Sequence, residues 1–109
     1  MALLEEFIAG LEAFEWDAGN SDKNWRNHEV RQAEAEQVLL NRPVIFAPDL
    51  KHSQAEARYF TLGRTNSGRG LAIVFTTREA RVRVISARPM SRAERKIYGE
   101  IVESAQGHS

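Results

Sequence analysis

Apolar positions recur at helical spacing at the start of the chain, where Leu3, Leu4, Phe7, Ile8, Leu11 and Phe14 predict an amphipathic helix ending near Ala13. Phe14-Glu15-Trp16-Asp17 then alternates apolar and acidic residues, the period of a short strand. From Asn20 to His28 the pattern is polar and compatible with a helix anchored by Trp25, and Ala33, Ala35, Val38 and Leu39 carry a further helix from about Arg31 to Leu40. Asn41-Arg42-Pro43 stops it, because proline supplies no amide hydrogen and restricts the residue before it. The pattern then turns to sheet. Val44 to Ala47 reads as a short strand, Pro48 to Ser53 as a loop, and Ala57 to Arg64 as a longer strand. Thr65-Asn66-Ser67-Gly68-Arg69-Gly70 has the composition of a hairpin connection. Leu71 to Thr76 is apolar on both faces, which predicts the central strand, and Arg78-Glu79-Ala80 turns into a strand over Arg81 to Arg88. Ser91 and Glu94 have the spacing of a capping box, and Ile97, Tyr98, Ile101, Val102 and Ala105 are the expected buried stripe of a last helix.

These elements predict an α+β protein: an antiparallel sheet packed by N-terminal helices and one C-terminal helix. At 109 residues the expected organisation is a single domain over 1–109, with 1–13 an additional N-terminal helix. No repeat or low-complexity tract interrupts it. The absence of cysteine removes disulfide scaffolds and thiolate metal sites and points to a reducing compartment. The opening apolar run carries Glu5 and Glu6 where a signal peptide is basic, and it is too short to span a bilayer. A cytoplasmic protein with no membrane association is expected.

A formal net charge of zero conceals a polar chain. Residues 1–56 carry eleven acids against five bases, and residues 57–109 carry ten bases against four acids. Such a split creates a cationic surface unless the two halves neutralise each other across a packed interface. The cations concentrate in Arg81-Val82-Arg83-Val84-Ile85-Ser86-Ala87-Arg88, arginines strung along a β-branched strand, and continue into Arg92, Arg95 and Lys96. Guanidinium groups held on a sheet suit a phosphate-bearing partner, since the planar fork donates bidentately and keeps its charge. Strict alternation puts Arg81, Arg83, Ile85 and Ala87 on one face and Val82, Val84, Ser86 and Arg88 on the other, so Arg83 and Arg88 share a phosphate only if a bulge intervenes.

Several blocks resemble the BrnT toxin family: Phe14-Glu15-Trp16-Asp17, Asn24 with His28, Asp49 and His52, Glu56 with Arg58, Leu62-Gly63-Arg64, Val74-Phe75-Thr76, Arg83 to Arg88, and Arg92, Glu94, Arg95 and Tyr98. The resemblance covers about Phe14 to Tyr98. It implies a RelE-like fold and a metal-independent endoribonuclease, with no cofactor, that arrests growth and is silenced by a BrnA-like ribbon-helix-helix antitoxin. RNA and that antitoxin are the implied partners, with a homodimer or a 2:2 complex as the assembly.

Metal-free cleavage of RNA needs a group that takes the 2′-hydroxyl proton, cations beside the phosphorane and a proton for the leaving oxygen. His28, Arg83, Arg88 and Tyr98 are the catalytic candidates, and Arg58, His52, Arg64 and Arg92 the RNA-binding ones. Each has a bland counterpart: a packed or exposed histidine, an arginine paired with Glu56, Glu79 or Glu94, a tyrosine whose ring is core. No metal-ligand spacing such as His-Glu-x-x-His occurs. The family pattern has lysine where this chain has Asn27 and glycine where it has Glu29, and the helix before Phe14 is an addition. A second reading is therefore a BrnT-like subunit without catalysis that binds a partner or assembles a repressor.

Overall fold

A computed structural model describes residues 13–16, 28–49 and 57–106. The elements are β1 (Ala13–Glu15), α1 (Gln32–Leu40), β2 (Ile45–Pro48), β3 (Arg58–Arg64), β4 (Gly70–Arg78), β5 (Arg81–Pro89) and α2 (Arg92–Gln106). They match the expected elements to within a residue or two at most ends. The helix expected over residues 1–13 and most of the one ending at His28 lie outside the described residues. No helix among the described residues is long and apolar enough to cross a membrane.

The five strands form one sheet in the order β1-β5-β4-β3-β2, so the run that is apolar on both faces, now β4, is central as predicted. Strands β2 to β5 are antiparallel neighbours, whereas β1 pairs parallel to β5 through Ala13 with Arg81, Phe14 with Val82 and Glu15 with Arg83. The sheet is therefore mixed, not wholly antiparallel. Its β4–β5 hairpin closes through Glu79 and Ala80, both with positive φ (49° and 64°), a conformation that asparagine and glycine adopt at less cost.

One face of the sheet is a dry core. Leu71, Ile73 and Phe75 of β4 and Val82, Val84 and Ala87 of β5 pack with Val30 and with Ala35, Val38 and Leu39 of α1, all at most 4 % exposed. At its edge Phe46, Tyr59 and Phe75 stack, with ring centroids 5.2 to 6.0 Å apart. At Gly63 α1 comes close to the sheet, since a Cβ there would lie 2.9 Å from Val38 Cγ1.

The other face takes α2. Tyr98 is 1 % exposed and packs with Leu62, Ala72 and Met90, flanked by Ile45, Phe60 and Val102. The expected buried stripe of α2 is narrower than the sequence pattern suggests: Ile97 and Ile101 are 48 % and 47 % exposed. The helix rests on the ridge through Glu94, Tyr98 and Val102, and the two isoleucines fall on its flank. Its start is built as expected, with Glu94 N–H donating to Ser91 Oγ at 3.1 Å and Ser91 N–H to Glu94 Oε1 at 2.8 Å.

Candidate nucleic-acid interface

The register between β4 and β5 shifts at Val74/Phe75: Phe75 opposes Val84 while Val74 opposes Ser86, which leaves Ile85 as an extra residue in β5. This bulge changes the side-chain parity of the arginine strand. Before it, Val82 and Val84 enter the core and Arg83 faces the α2 side; after it, Ala87 enters the core and Arg88 faces the α2 side. Strict alternation separates Arg83 and Arg88, but the bulge reunites them, with Ser86 between. Ala87, grouped by alternation with Arg83, lies on the opposite face.

The pairing then assembles a row across the same face. Glu15 of β1 stands beside Arg83 of β5, Arg83 opposite Thr76 of β4, and Thr76 opposite Arg58 of β3. Neighbours in such a row are about 5 Å apart at the backbone. Thr76 is buried and its hydroxyl donates to Ala57 O at 2.6 Å, which fixes the middle of the row. Arg83 Nη1 meets Glu15 Oε1 at 3.2 Å, and their side chains are 24 % and 32 % exposed, so the pair borders solvent. Next along the sheet comes the row Ser86, Val74 and Phe60, all half-buried, and beyond it Arg88, Ala72 and Leu62 under α2.

Arg88 is held differently. Its Nη1 and Nη2 donate to the two oxygens of Glu94 at 2.6 and 2.8 Å, a fork-on-fork pair that ties β5 to the first turn of α2. Hydrogen bonds from Arg88, with a further one from the Ser91 amide, outweigh burial and hold the Glu94 carboxyl down at about 2; the same pair raises the Arg88 guanidinium above its ordinary range. Tyr98 is equally committed: its hydroxyl donates to Pro43 O at 2.6 Å, and burial raises its pKa against the nearby charge of Arg64, whose guanidinium carbon lies 5.2 Å from the ring centroid. Arg64 itself is exposed, and Arg92 stands exposed at the start of α2.

His28 is not brought to this face. It precedes α1, and Arg69 holds its backbone: Nη2 donates to His28 O at 3.1 Å, while Nη1 reaches Glu29 O at 2.9 Å and the Glu34 carboxylate at 3.1 and 3.2 Å. Glu34 also accepts the Arg31 amide at 3.1 Å; burial raises its pKa, but the bonds from Arg31 and Arg69 prevail and lower it. This clamp lies with α1, across the sheet from Arg83 and Arg58. Glu29 has φ of 53°, left-handed backbone that glycine adopts without strain, so its departure from the family glycine is conformational as well as electrostatic. His52 lies outside the described residues. Arg69 and Glu34 were not singled out by the sequence, in which they stand 35 residues apart and Arg69 sits in a glycine-bounded connection.

Arg69–Glu34 and Arg83–Glu15 each join an acid of the first half to a base of the second, so the charge asymmetry is partly settled inside the fold. A family model described as the ribonuclease toxin BrnT of type II toxin-antitoxin systems matches residues 16–94, well over half of the chain. The chain belongs to the BrnT family. Its family is thus one of ribonuclease toxins that act on RNA and pair with an antitoxin. The match takes in the clamp at His28, the Arg58–Thr76–Arg83 row, the bulge and the Arg88–Glu94 pair, while Glu15 and Tyr98 fall just outside it. A comparison with curated proteins returns no match.

Proposed function

We propose that this BrnT protein is a metal-independent endoribonuclease toxin, with RNA lying across the α2 side of the sheet. The observation that carries the reading is the row that puts Arg83 and Arg58 on one face, with the bulge adding Arg88 to it. Two guanidinium groups flanking a fixed threonine offer several donors to the oxygens of one phosphate. They stabilise it most when attack of the 2′-oxygen has added charge to the phosphorane. Arg83 and Arg58 take the phosphate in this arrangement. Arg88 braces α2 through Glu94, and Arg64 and Arg92 extend the cationic track for the neighbouring nucleotides. His28 serves the fold of the α1 side, and Tyr98 anchors α2. A BrnA-like antitoxin silences the toxin by covering the arginine face with acidic residues, in a 2:2 assembly.

One observation favours a partner-binding subunit without catalysis: Arg88 and Tyr98 are both engaged by protein groups. The two readings part on one experiment. Purified protein is incubated with a labelled single-stranded RNA, beside Arg83→Ala. Cleavage by the wild type and a fall of about 100-fold or more in kcat for the variant, with its Tm within about 2 °C, are expected. Intact RNA with the wild type, together with tight antitoxin binding, would establish the non-catalytic subunit instead.

A further inference from the structure

Among the described residues the one histidine, His28, is held by the Arg69 clamp on the α1 side, so the nuclease reading calls for an acceptor of the 2′-hydroxyl proton on the arginine face itself. We propose that Glu15 is the general base that takes that proton. The inference rests on the nuclease reading and names a residue for its first step.

Glu15 is the carboxylate at the end of the row, held on β1 by parallel pairing to β5, with Oε1 3.2 Å from Arg83 Nη1. Its side chain is 32 % exposed, which keeps it within reach of a strand lying on the sheet. A phosphate bound to Arg83 places the preceding ribose within a few ångströms of the neighbouring position in the row, and a general base must lie within hydrogen-bond reach of its proton. Among the other described acids, Asp49 stands at the far end of the row beside Arg58, its N–H donating to Arg58 O at 2.8 Å, away from the Arg83 that Glu15 contacts, and three more are engaged elsewhere. Glu94 is wrapped by Arg88 and the Ser91 amide, Glu36 accepts the Trp16 indole N–H at 2.7 Å, and Glu34 belongs to the Arg69 clamp. An acid so strongly stabilised as its anion, as Glu94 is, makes a poor base.

The step balances without a further reactant. The 2′-hydroxyl proton passes to the Glu15 carboxylate as the bond from O2′ to phosphorus forms. The bond from phosphorus to O5′ breaks, the leaving O5′ takes a proton from water, and Glu15 returns its own proton to solvent. The products are a 2′,3′-cyclic phosphate and a 5′-hydroxyl end. Arg83 has two roles in this scheme, holding the phosphate and orienting the base.

The test compares wild type, Glu15→Gln, Glu15→Asp and Arg83→Ala on a fluorescent single-stranded RNA, with cleavage rates across pH, RNA Kd and Tm measured on each. Glu15→Gln should lose about 100-fold or more in kcat while binding RNA as tightly as the wild type or tighter, since a negative charge beside the phosphate is gone. Glu15→Asp should recover part of that rate. The acid limb of the wild-type rate profile should be missing from what activity Glu15→Gln retains, and cyclic phosphate should be found at the cut. If Glu15→Gln cleaves at the wild-type rate while Arg83→Ala is inactive, the nuclease reading stands and Glu15 is not the base. Parallel loss of RNA binding and cleavage in Glu15→Gln would show that Glu15 only positions Arg83, and overturn the inference too. A wild type that leaves RNA intact would remove the nuclease reading and this step together.

Discussion

The two faces of the sheet share the same strands and have opposite tasks. On the α1 side, Leu71, Ile73, Phe75, Val82, Val84 and Ala87 meet Ala35, Val38 and Leu39 with no charge among them. On the α2 side a small apolar patch under Tyr98 gives way to Arg58, Arg83 and Arg88, half-buried and set against acids or solvent. Burial of apolar area dominates folding free energy, whereas ion pairs that border solvent add little. The first face should therefore decide whether the chain folds, and the second what it does once folded. A single extra residue, Ile85, lets both halves of β5 send apolar side chains to the first face and an arginine to the second.

The sharpest way to break the comparison is to cut one side chain from each face. Phe75 is fully buried in the aromatic cluster with Phe46 and Tyr59, so Phe75→Ala should cost about 3–5 kcal/mol, much of the stability of a small domain. Arg83→Ala, in the variant used above to test RNA cleavage, removes a pair that borders solvent and should cost less than about 1 kcal/mol. Urea unfolding of the two proteins measures both. Equal losses would mean that the arginine face is structural, and the division of labour would fall.

Much of this division was legible before the structure. The β4 strand announced its central place by being apolar on both faces, and the Ser91–Glu94 capping box could be read from spacing alone. The bulge could be posed only as a condition, because an inserted residue is defined by its cross-strand partners, which the chain pattern does not name. The parallel pairing of β1 was missed for a related reason: β1 and β5 are distant in the chain, and adjacency along the sequence favours antiparallel neighbours. The narrow buried ridge of α2 was missed because helical periodicity reports an apolar stripe and not the width of what covers it. Arg69 was hidden by its turn-like surroundings, and the side of the sheet taken by His28 depends on the path of the chain before α1.

The Arg88–Glu94 pair tests whether any part of the α2 face supports the fold. Glu94 has an ordinary pKa of 4.5 that falls to about 2 in the fold. In the window between, the unfolded chain binds a proton that the folded chain refuses. Folding stability supplied by this group is therefore complete above about pH 5 and is lost as pH falls toward 2. Glu94→Gln should lower stability by about 1–2 kcal/mol at pH 7, through a weakened cap and a lost ion pair. The gap between wild type and variant, read from urea unfolding at a series of pH values, should close between pH 5 and 2. A gap that stays constant over that range would mean that the pair contributes through packing and not through charge.

The smallest effect belongs to the flank of α2. A buried isoleucine replaced by serine loses several kcal/mol, through lost transfer energy, a cavity and a buried hydroxyl. Ile97 and Ile101 are about half exposed and stand aside from the ridge that Tyr98 drives into the sheet. Ile97→Ser and Ile101→Ser should each change the unfolding free energy of the isolated protein by no more than about 0.5–1 kcal/mol, well below the cost of Phe75→Ala. Thermal unfolding of the two variants checks this, with shifts of a few degrees expected. Losses as large as that of Phe75→Ala would restore the wide buried stripe that the sequence pattern predicts, and would make the α2 side a second full core in place of a face built around arginines.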